Sequence, residues 1–348
     1  MVNLKTLSEY LGLSQATVSR GLNGFPEVRE ETRRRIFEAA DELGYRPNPN
    51  AQKLATGRAN SIGFIFPGAE NLFLDPHFGE FLAGISSRLA RSDVDLTFAA
   101  AEPEDEIATY ERFVRTRRAD VLILTGPKVH DPRLPVLEKL KMPFVLHGRT
   151  EGWFANEAPA FDCFDIDNAG GFARATEHLL QLGHRRIACV NGDVRLNYAR
   201  DRQIGYGDAI KAAGLTVDPL LCAGGPMTEE EGFATARRML ALDDPPTAYL
   251  CGSILLASGV ARALRGTSQT VGKNVALVAH DDVLPFLLSE NFEVPLTVLR
   301  SPIREGGTAV ADLALERLAK GSQMPHRAMV MDVEFVVRES SCAGPFAP

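Results

Sequence analysis

The first two helix-forming segments of the chain are joined by a three-residue turn. Leu4 to Leu11 is amphipathic, and Gly12-Leu13-Ser14 leads into a second segment in which Val18 and Leu22 are separated by one helical turn. Ser14 is placed to cap that second helix, because its hydroxyl can accept from the free amides of the first turn. This arrangement is typical of a helix-turn-helix and predicts a small all-α head.

The outward face of the second helix carries short polar side chains and one arginine. Such groups reach base edges and phosphates when a helix lies in a major groove. The same composition also fits a solvated face, so the spacing alone leaves both interpretations open. With the capping residue, the candidate DNA-binding positions of this helix are Ser14, Gln15, Ala16, Thr17, Ser19, Arg20 and Asn23.

A third helix is predicted from Arg29 to Leu43, where apolar residues recur at helical spacing before Gly44. Pro47 and Pro49 then interrupt the helical pattern, since proline lacks the amide donor and restricts the residue before it. A short helix is predicted to start again over residues 50–55. It is too short to persist alone in water and needs a partner to form.

The stretches ATVSRGLNG and GYRPNPNAQKLATG resemble the head and hinge of the lactose-repressor (LacI/GalR) family of bacterial transcription regulators, and the resemblance continues through most of the chain. It implies that Gln15 and Ala16 discriminate operators. It also implies that the hinge residues Ala51, Lys53 and Leu54 contact DNA, with Leu54 wedged into the minor groove. Taken alone, Leu54 fits burial in a domain interface better. One departure is Arg29, where many members of the family have a Ser or Thr cap.

Charge and cysteine content agree with a DNA-binding head followed by a separate, larger core. The chain of 348 residues is 45% hydrophobic, enough for two or three domains with sizeable cores. Its net charge of −7 divides into +2 for the first 58 residues and −9 for the remainder, and the local field governs contact with phosphates. Five scattered cysteines without a C-x-x-C pair predict neither a disulfide framework nor a zinc site. We expect a cytoplasmic protein without metal, cofactor or membrane segment.

From Ser61 onward, short apolar strands alternate with amphipathic helices, which predicts parallel sheets covered on both faces. The expected fold class is therefore a small all-α helix-turn-helix head plus an α/β periplasmic-binding-protein-like core of two doubly wound lobes. We expect the second lobe to begin near Phe164 and the segment Leu296 to Leu299 to cross back to the first. The predicted domains are residues 1–45 for DNA binding, 46–60 for the linker and hinge helix, and 61–340 for effector binding and dimerisation.

Ligands of open α/β sheets bind at the carboxyl ends of the strands. The family resemblance places the following effector-binding candidates there: Asp75, Phe78, His147, Arg149, Phe164, Asn197, Tyr198, Arg202, Met227, Ser253, Asp281 and Ser301. Carboxylate and guanidinium groups can pair adjacent hydroxyls while aromatic rings cover an apolar sugar face, so a sugar is the leading effector.

Plainer interpretations of some of these positions remain open. Arg202 and Asp281 could form an interlobe salt bridge, Phe78 and Met227 could belong to the core, and His147 could be an ordinary hydrogen-bonded residue at a strand end. A departure lies at Gly252-Ser253-Ile254, where many members of the family have Asn-Asp. The identity of the effector therefore does not carry over from the family.

Enzyme signatures are missing from the sequence: there is no Gly-x-Ser-x-Gly elbow, no phosphate-binding loop of the Gly-x-x-x-x-Gly-Lys type and no His-Glu-x-x-His. Two alternatives to a regulator are a transport-type sugar-binding receptor and a sugar-processing enzyme with a DNA-binding head. The favoured function is a homodimeric, ligand-responsive transcriptional regulator that binds palindromic operator DNA and represses a carbohydrate uptake or utilisation operon. The end of the chain has no heptad pattern, so we expect dimers rather than coiled-coil tetramers.

Overall fold

The N-terminal head is a three-helix unit in the computed structural model, which describes residues 2–46, 58–67, 76–150, 158–321 and 324–347. Its helices are α1 (Leu4–Leu11), α2 (Gln15–Leu22) and α3 (Glu30–Glu42). Leu7, Val18 and Ile36 are fully buried between them, as the helical spacing predicts. The hinge candidates Ala51, Lys53 and Leu54 lie outside the described residues.

The first lobe is built on a fully parallel sheet of six strands. Helices cover both of its faces, so the strands are apolar on both sides. In spatial order the strands are β2 (Asp95–Ala101), β1 (Ser61–Pro67), β3 (Val121–Thr125), β4 (Phe144–His147), β5 (Asp162–Ile166) and β11 (Ala328–Met331). The covering helices are α4 (Pro76–Leu89), α5 (Glu106–Arg115), α6 (Arg133–Lys139) and α11 (Ile303–Lys320).

The second lobe repeats the plan with six strands, of which only the edge strand β12 runs antiparallel to its neighbour. In spatial order the strands are β12 (Glu334–Val336), β10 (Thr297–Arg300), β9 (Ala276–Asp281), β8 (Ala248–Cys251), β6 (Ile187–Gly192) and β7 (Cys222–Gly225). The helices are α7 (Asn168–Gln181), α8 (Asn197–Ala212), α9 (Glu229–Leu240) and α10 (Ile254–Leu264). Short 3₁₀ turns occur at Pro103–Asp105, Pro219–Leu221 and Ser289–Asn291.

Two expectations about the lobes were wrong. The segment Leu296 to Leu299 does not cross to the first lobe, because β10 pairs with β9 in the second sheet. The strand containing Phe164 does not open the second lobe, because β5 pairs with β4 in the first. The chain instead passes between the lobes after β5, after β10 and after β11.

After β10 the chain returns to the first lobe, where α11 packs against α4 at very short range. A Cβ atom added at Gly84 of α4 would lie 2.1 Å from the carbonyl oxygen of Arg304, and one added at Gly307 of α11 would lie 2.1 Å from that of Phe81. Only glycine permits this approach of two helix backbones. The pair fixes α11 beneath the carboxyl ends of β4 and β5, where Gly306 faces His147 and Phe164.

Candidate effector cleft and DNA-binding surface

The second helix of the head presents the predicted DNA-binding face. Ser14 caps α2, accepting from the amide of Thr17 at 3.1 Å. Gln15, Ala16 and Arg20 are exposed, while Thr17, Ser19 and Asn23 are half-buried. Arg29 precedes α3 without a side-chain capping bond, in line with the departure noted in the sequence. The first turn of α2 is therefore exposed and accessible to the major groove of DNA.

A cavity of about 300 Å³ lies between the lobes at the carboxyl ends of the strands. On the first-lobe side its wall is largely aromatic, with Phe78, Phe81, His147 and Phe164. The His147 ring lies 4.5 Å from the ring of Phe81 and stacks on Phe164 with an interplanar angle of 7°. Burial lowers the pKa of His147 to about 4, so at neutral pH this wall carries no charge from the imidazole.

The second-lobe side of the cavity is polar and centred on Arg202, which lies on α8. Its guanidinium donates to the side-chain oxygen of Asn168 at 2.7 Å and to the carbonyl of Gly252 at 2.6 Å. It also packs over the rings of Tyr198 and Phe172, at 5.1 and 5.4 Å from the ring centroids. Burial lowers the pKa of Arg202 below its ordinary value. These contacts fix a cationic group at the cavity wall in one orientation.

A carboxylate of the second lobe faces the cavity beside this arginine. Asp282 lies 3.1 Å from Nε2 of His77 in the first lobe and 3.3 Å from Nε2 of His280. Burial by itself would raise the pKa of Asp282, but the two imidazoles outweigh it and hold that pKa well below its ordinary value. Ser301 is hydrogen-bonded to His280 at 2.9 Å. Asp282 is therefore a half-buried anion at neutral pH, held from both lobes.

Of the twelve effector candidates, seven line the cavity together and four others that the structure describes do not. Those that line it are Phe78, His147, Phe164, Tyr198, Arg202, Met227 and Ser301. Asp75 lies outside the described residues. Several other residues line the cavity that were not among the predicted candidates, including His77, Phe81, Asp165, Asn168, Asp282 and Met331. For Asp282 a signal was available in the sequence, because it follows the predicted strand that forms β9.

Asp281, Ser253, Arg149 and Asn197 do not line the cavity, and the structure shows what each side chain contacts instead. The carboxylate of Asp281 is occupied within its own loop, accepting from the Val283 amide at 2.8 Å and from the Ser289 hydroxyl at 2.7 Å. The Ser253 side chain caps α10 by accepting from the Leu256 amide at 3.2 Å.

Arg149 and Asn197 instead contribute to contacts that join the lobes. Both side chains donate to the carboxylate of Asp201, at 3.3 and 3.0 Å, and Arg149 also pairs with Asp165 of β5. The alternative of a salt bridge between Arg202 and Asp281 is not formed, since Arg202 donates instead to Asn168 and the carbonyl of Gly252.

Backbone bonds also join the lobes at one side of the cavity. The amide of Val129 donates to the carbonyl of Arg195 at 3.1 Å, and the amide of Asn197 donates to the carbonyl of Pro127 at 3.0 Å. Together with the Arg149–Asp201 and His77–Asp282 contacts, they hold the lobes against each other around the cavity. This is the closed arrangement of a two-lobed binding domain.

Two family models match the chain, over residues 4–48 and 59–338. The first describes "Bacterial regulatory proteins, lacI family" and the second "Periplasmic binding proteins and sugar binding domain of LacI family". The chain belongs to the LacI family of bacterial regulatory proteins. It is a ligand-responsive DNA-binding transcriptional regulator with an N-terminal helix-turn-helix head, and not an enzyme.

Relatives of this LacI-family chain cover nearly its whole length. It is 42% identical over 344 residues to the HTH-type transcriptional regulator AglR of Rhizobium meliloti (strain 1021), an alignment that covers 99% of this chain and 95% of the relative. It is 35% identical over 283 residues to the regulator RafR of Escherichia coli, covering 80% of this chain and 82% of RafR. The predicted family and fold class are therefore confirmed.

Two solved structures match the chain from head to second lobe. The complex of the transcriptional regulator CelR with cellobiose has a TM-score of 0.71 at 27% identity, covering 98% of this chain and 100% of the other. The lac repressor dimer bound to operator and the anti-inducer ONPF has a TM-score of 0.79 at 25% identity, covering 98% and 99%. No helix among the described residues is long and apolar enough to cross a membrane.

Proposed function

We propose that this LacI-family regulator is a cytoplasmic homodimer that represses a carbohydrate uptake or utilisation operon, and that a sugar bound in the cleft changes its affinity for the operator. The observation that carries the proposal is the two-sided cavity, with aromatic rings on one lobe and the Arg202 and Asp282 side chains on the other. A sugar has an apolar ring face and a hydroxyl rim that match these two walls.

The homodimer follows from the geometry of DNA recognition. One helix-turn-helix head covers a single half-site, and a two-fold protein on a palindrome doubles its contacts. The structure of the lac repressor dimer on its operator supports this arrangement, because that chain resembles this one over nearly its whole length. On the first turn of α2, Gln15 and Ala16 would contact base edges. The other DNA-contacting positions would face the sugar-phosphate backbone of the DNA, namely Thr17, Ser19, Arg20 and Asn23. Ala51, Lys53 and Leu54 would complete the interface from the hinge.

Effector residues in this proposal are those that line the cavity. Phe78, Phe164 and Met227 would contact the apolar parts of the sugar, and Arg202, Asp282 and Ser301 its hydroxyl groups. The effector would act by shifting the balance between closed and open lobes, because a ligand changes an equilibrium only through its different affinity for the two states.

A transport-type sugar-binding receptor is the weaker alternative. Such a receptor shares the two lobes but has no use for a head matching the lacI regulatory model over residues 4–48. A sugar-processing enzyme has even less support, since the buried polar groups of the cleft are engaged in the fixed contacts of Arg202 and Asp282.

Selection of binding sites from randomised DNA tests the proposal directly. The purified protein should enrich a palindromic sequence, and fluorescence anisotropy with that sequence should show a change of at least ten-fold in operator affinity on adding one sugar from a library. Sedimentation of the complex gives two chains per operator if the homodimer is correct. Recovery of no sequence preference, or of one chain per operator, would contradict it.

A further inference from the structure

The charge, hydrogen-bonding capacity and volume of the cleft restrict what it can hold. We infer that the effector is an uncharged sugar of about disaccharide size, and not a monosaccharide or a phosphorylated sugar. This inference rests on the proposed function, because it takes the cavity between the lobes to be the effector site.

The positive charge at the cavity wall is already balanced. Among the carboxylate and guanidinium groups that line the cavity, Arg202 is accompanied by two carboxylates, Asp282 and Asp165, and Asp165 also pairs with Arg149 behind the wall. At the wall itself the carboxylates therefore outnumber the guanidinium by one. A phosphate or carboxylate on the ligand would therefore lose its hydration without gaining an uncommitted cation, and such burial of charge is costly.

The polar wall is best satisfied by a ligand whose groups can both donate and accept hydrogen bonds. A carboxylate such as Asp282 only accepts, and a guanidinium such as Arg202 only donates. Adjacent hydroxyl groups satisfy both at once, since each can donate to the first and accept from the second. Both protein groups are fixed, by His77 and His280 on one side and by Asn168 and Gly252 on the other.

The volume of the cavity favours more than one sugar ring. At roughly 30 Å³ per water molecule, the cavity of about 300 Å³ equals about ten waters. Each C–OH unit of a sugar takes up about as much room as one water, so the six units of a hexose would leave about four waters' worth of space unfilled. The roughly twelve units of a disaccharide would fill the cavity and extend slightly beyond its mouth. A ligand that left space beside Phe78, Phe81 and Phe164 would lose van der Waals contacts with their rings.

Calorimetric titration of the full-length protein with three compound classes tests the inference. The probes are a library of neutral disaccharides including cellobiose, the hexoses from which they are built, and the 6-phosphates of those hexoses. We expect the tightest ligand to be a neutral disaccharide, bound at least ten-fold more tightly than its component hexoses and than any phosphate. A hexose or a sugar phosphate as the tightest ligand overturns the inference.

Operator anisotropy with the same compounds separates this inference from the proposed function. Release or tightening of the operator complex by a hexose or a phosphate would uphold the proposed function and overturn the inference. If no compound of any class binds or changes the operator complex, both are overturned.

A pair of variants links the ligand to the polar wall. Asp282→Asn keeps the shape of the side chain but removes its charge, and we expect it to weaken the best disaccharide at least ten-fold. Asp208→Asn is the matched control, because Asp208 is exposed on α8 and contacts Lys211. Equal affinities of the two variants would place the ligand elsewhere and overturn the inference.

Discussion

Two adjacent residues on the recognition helix are expected to set operator preference. Gln15 and Ala16 are exposed on the first turn of α2, the end that approaches base edges. One bidentate contact is worth roughly 1–3 kcal/mol of discrimination between bases. Exchanging both residues should therefore change the preferred base in each half-site, measured by selection from randomised half-sites. An identical consensus for the wild type and the double variant would mean that α2 does not read these bases.

Asp281 is expected to act on the cleft through its neighbour. Its two hydrogen bonds hold Val283 at a φ of 59°, a left-handed conformation that β-branched residues rarely adopt and that costs about 1–3 kcal/mol. This turn directs Asp282 into the cavity. Asp281→Ala should thus weaken the effector although Asp281 does not line the cavity, and Asp281→Asn should restore part of the affinity because it can still accept from the Val283 amide. Calorimetry on both variants checks this, and full affinity in the Ala variant would refute it.

For single residues, the sequence predicts which types of side chain lie near the cleft better than it predicts which of them points into it. The sequence places a pair of carboxylates after β9, and alternation along an extended chain puts them on different sides. Which of the two faces the cleft depends on the bonds to Ser289 and Val283, and these come from a loop whose backbone the sequence does not specify. Asp281 was therefore placed among the candidates, whereas in the structure Asp282 lines the cavity; Phe78 and Phe164, which the family resemblance implied, line it as well.

Close packing of two helices supports the first-lobe wall of the cleft. We expect Gly84→Ala to destabilise the protein by about 1–3 kcal/mol, because the new methyl group would lie 2.1 Å from the Arg304 carbonyl and force the helices α4 and α11 apart. Gly79→Ala is the control on the same helix. In the described part of the chain, nothing beyond the neighbouring backbone of its own helix lies within 4 Å of the Cβ added there, so this substitution should stabilise by about 0.5–1 kcal/mol through helix propensity. Chemical denaturation of both variants gives the comparison, and equal shifts would argue against the close contact.

Elements with strong local patterns were predicted within a few residues. The spacing of apolar residues predicts helices from Phe78 to Arg91 and from Arg133 to Lys141. In the structure α4 begins and ends two residues earlier than the first, and α6 corresponds to the second. The helix α11 was not predicted, because its first turns contain Gly306 and Gly307, which have low helix propensity. Tertiary contact with α4 offsets that cost. The repeat Val310, Leu313, Ala314 is buried and was the available signal.

The number of lobes follows from the sequence, but the path of the chain between them does not. A buried strand such as β10 has the same apolar pattern whichever sheet it joins, and the pairing of Thr297 with Val278 is decided by contacts distant in sequence. The prediction of two lobes was supported by the family resemblance. The three passages of the chain between the lobes appear only in the structure.

The contacts that join the lobes should set the affinity for the effector. Asp201 on α8 is one of them, since it accepts from Arg149 of the first lobe at 3.3 Å. Asp201→Ala removes this ion pair and leaves Arg149 with Asp165 only, which favours the open lobes. A partly exposed pair of this kind is worth about 1 kcal/mol, so effector affinity should fall roughly five-fold.

The control for this last prediction is Asp208→Ala, on the same helix but exposed and paired with Lys211 of its own helix. Small-angle scattering without effector should show a larger radius of gyration for Asp201→Ala than for Asp208→Ala. Because linkage is reciprocal, the factor by which effector changes operator affinity must equal the factor by which operator changes effector affinity in each variant. Unchanged scattering together with unchanged effector affinity in Asp201→Ala would mean that this ion pair does not hold the lobes closed, and that the backbone bonds at Val129 and Asn197 suffice.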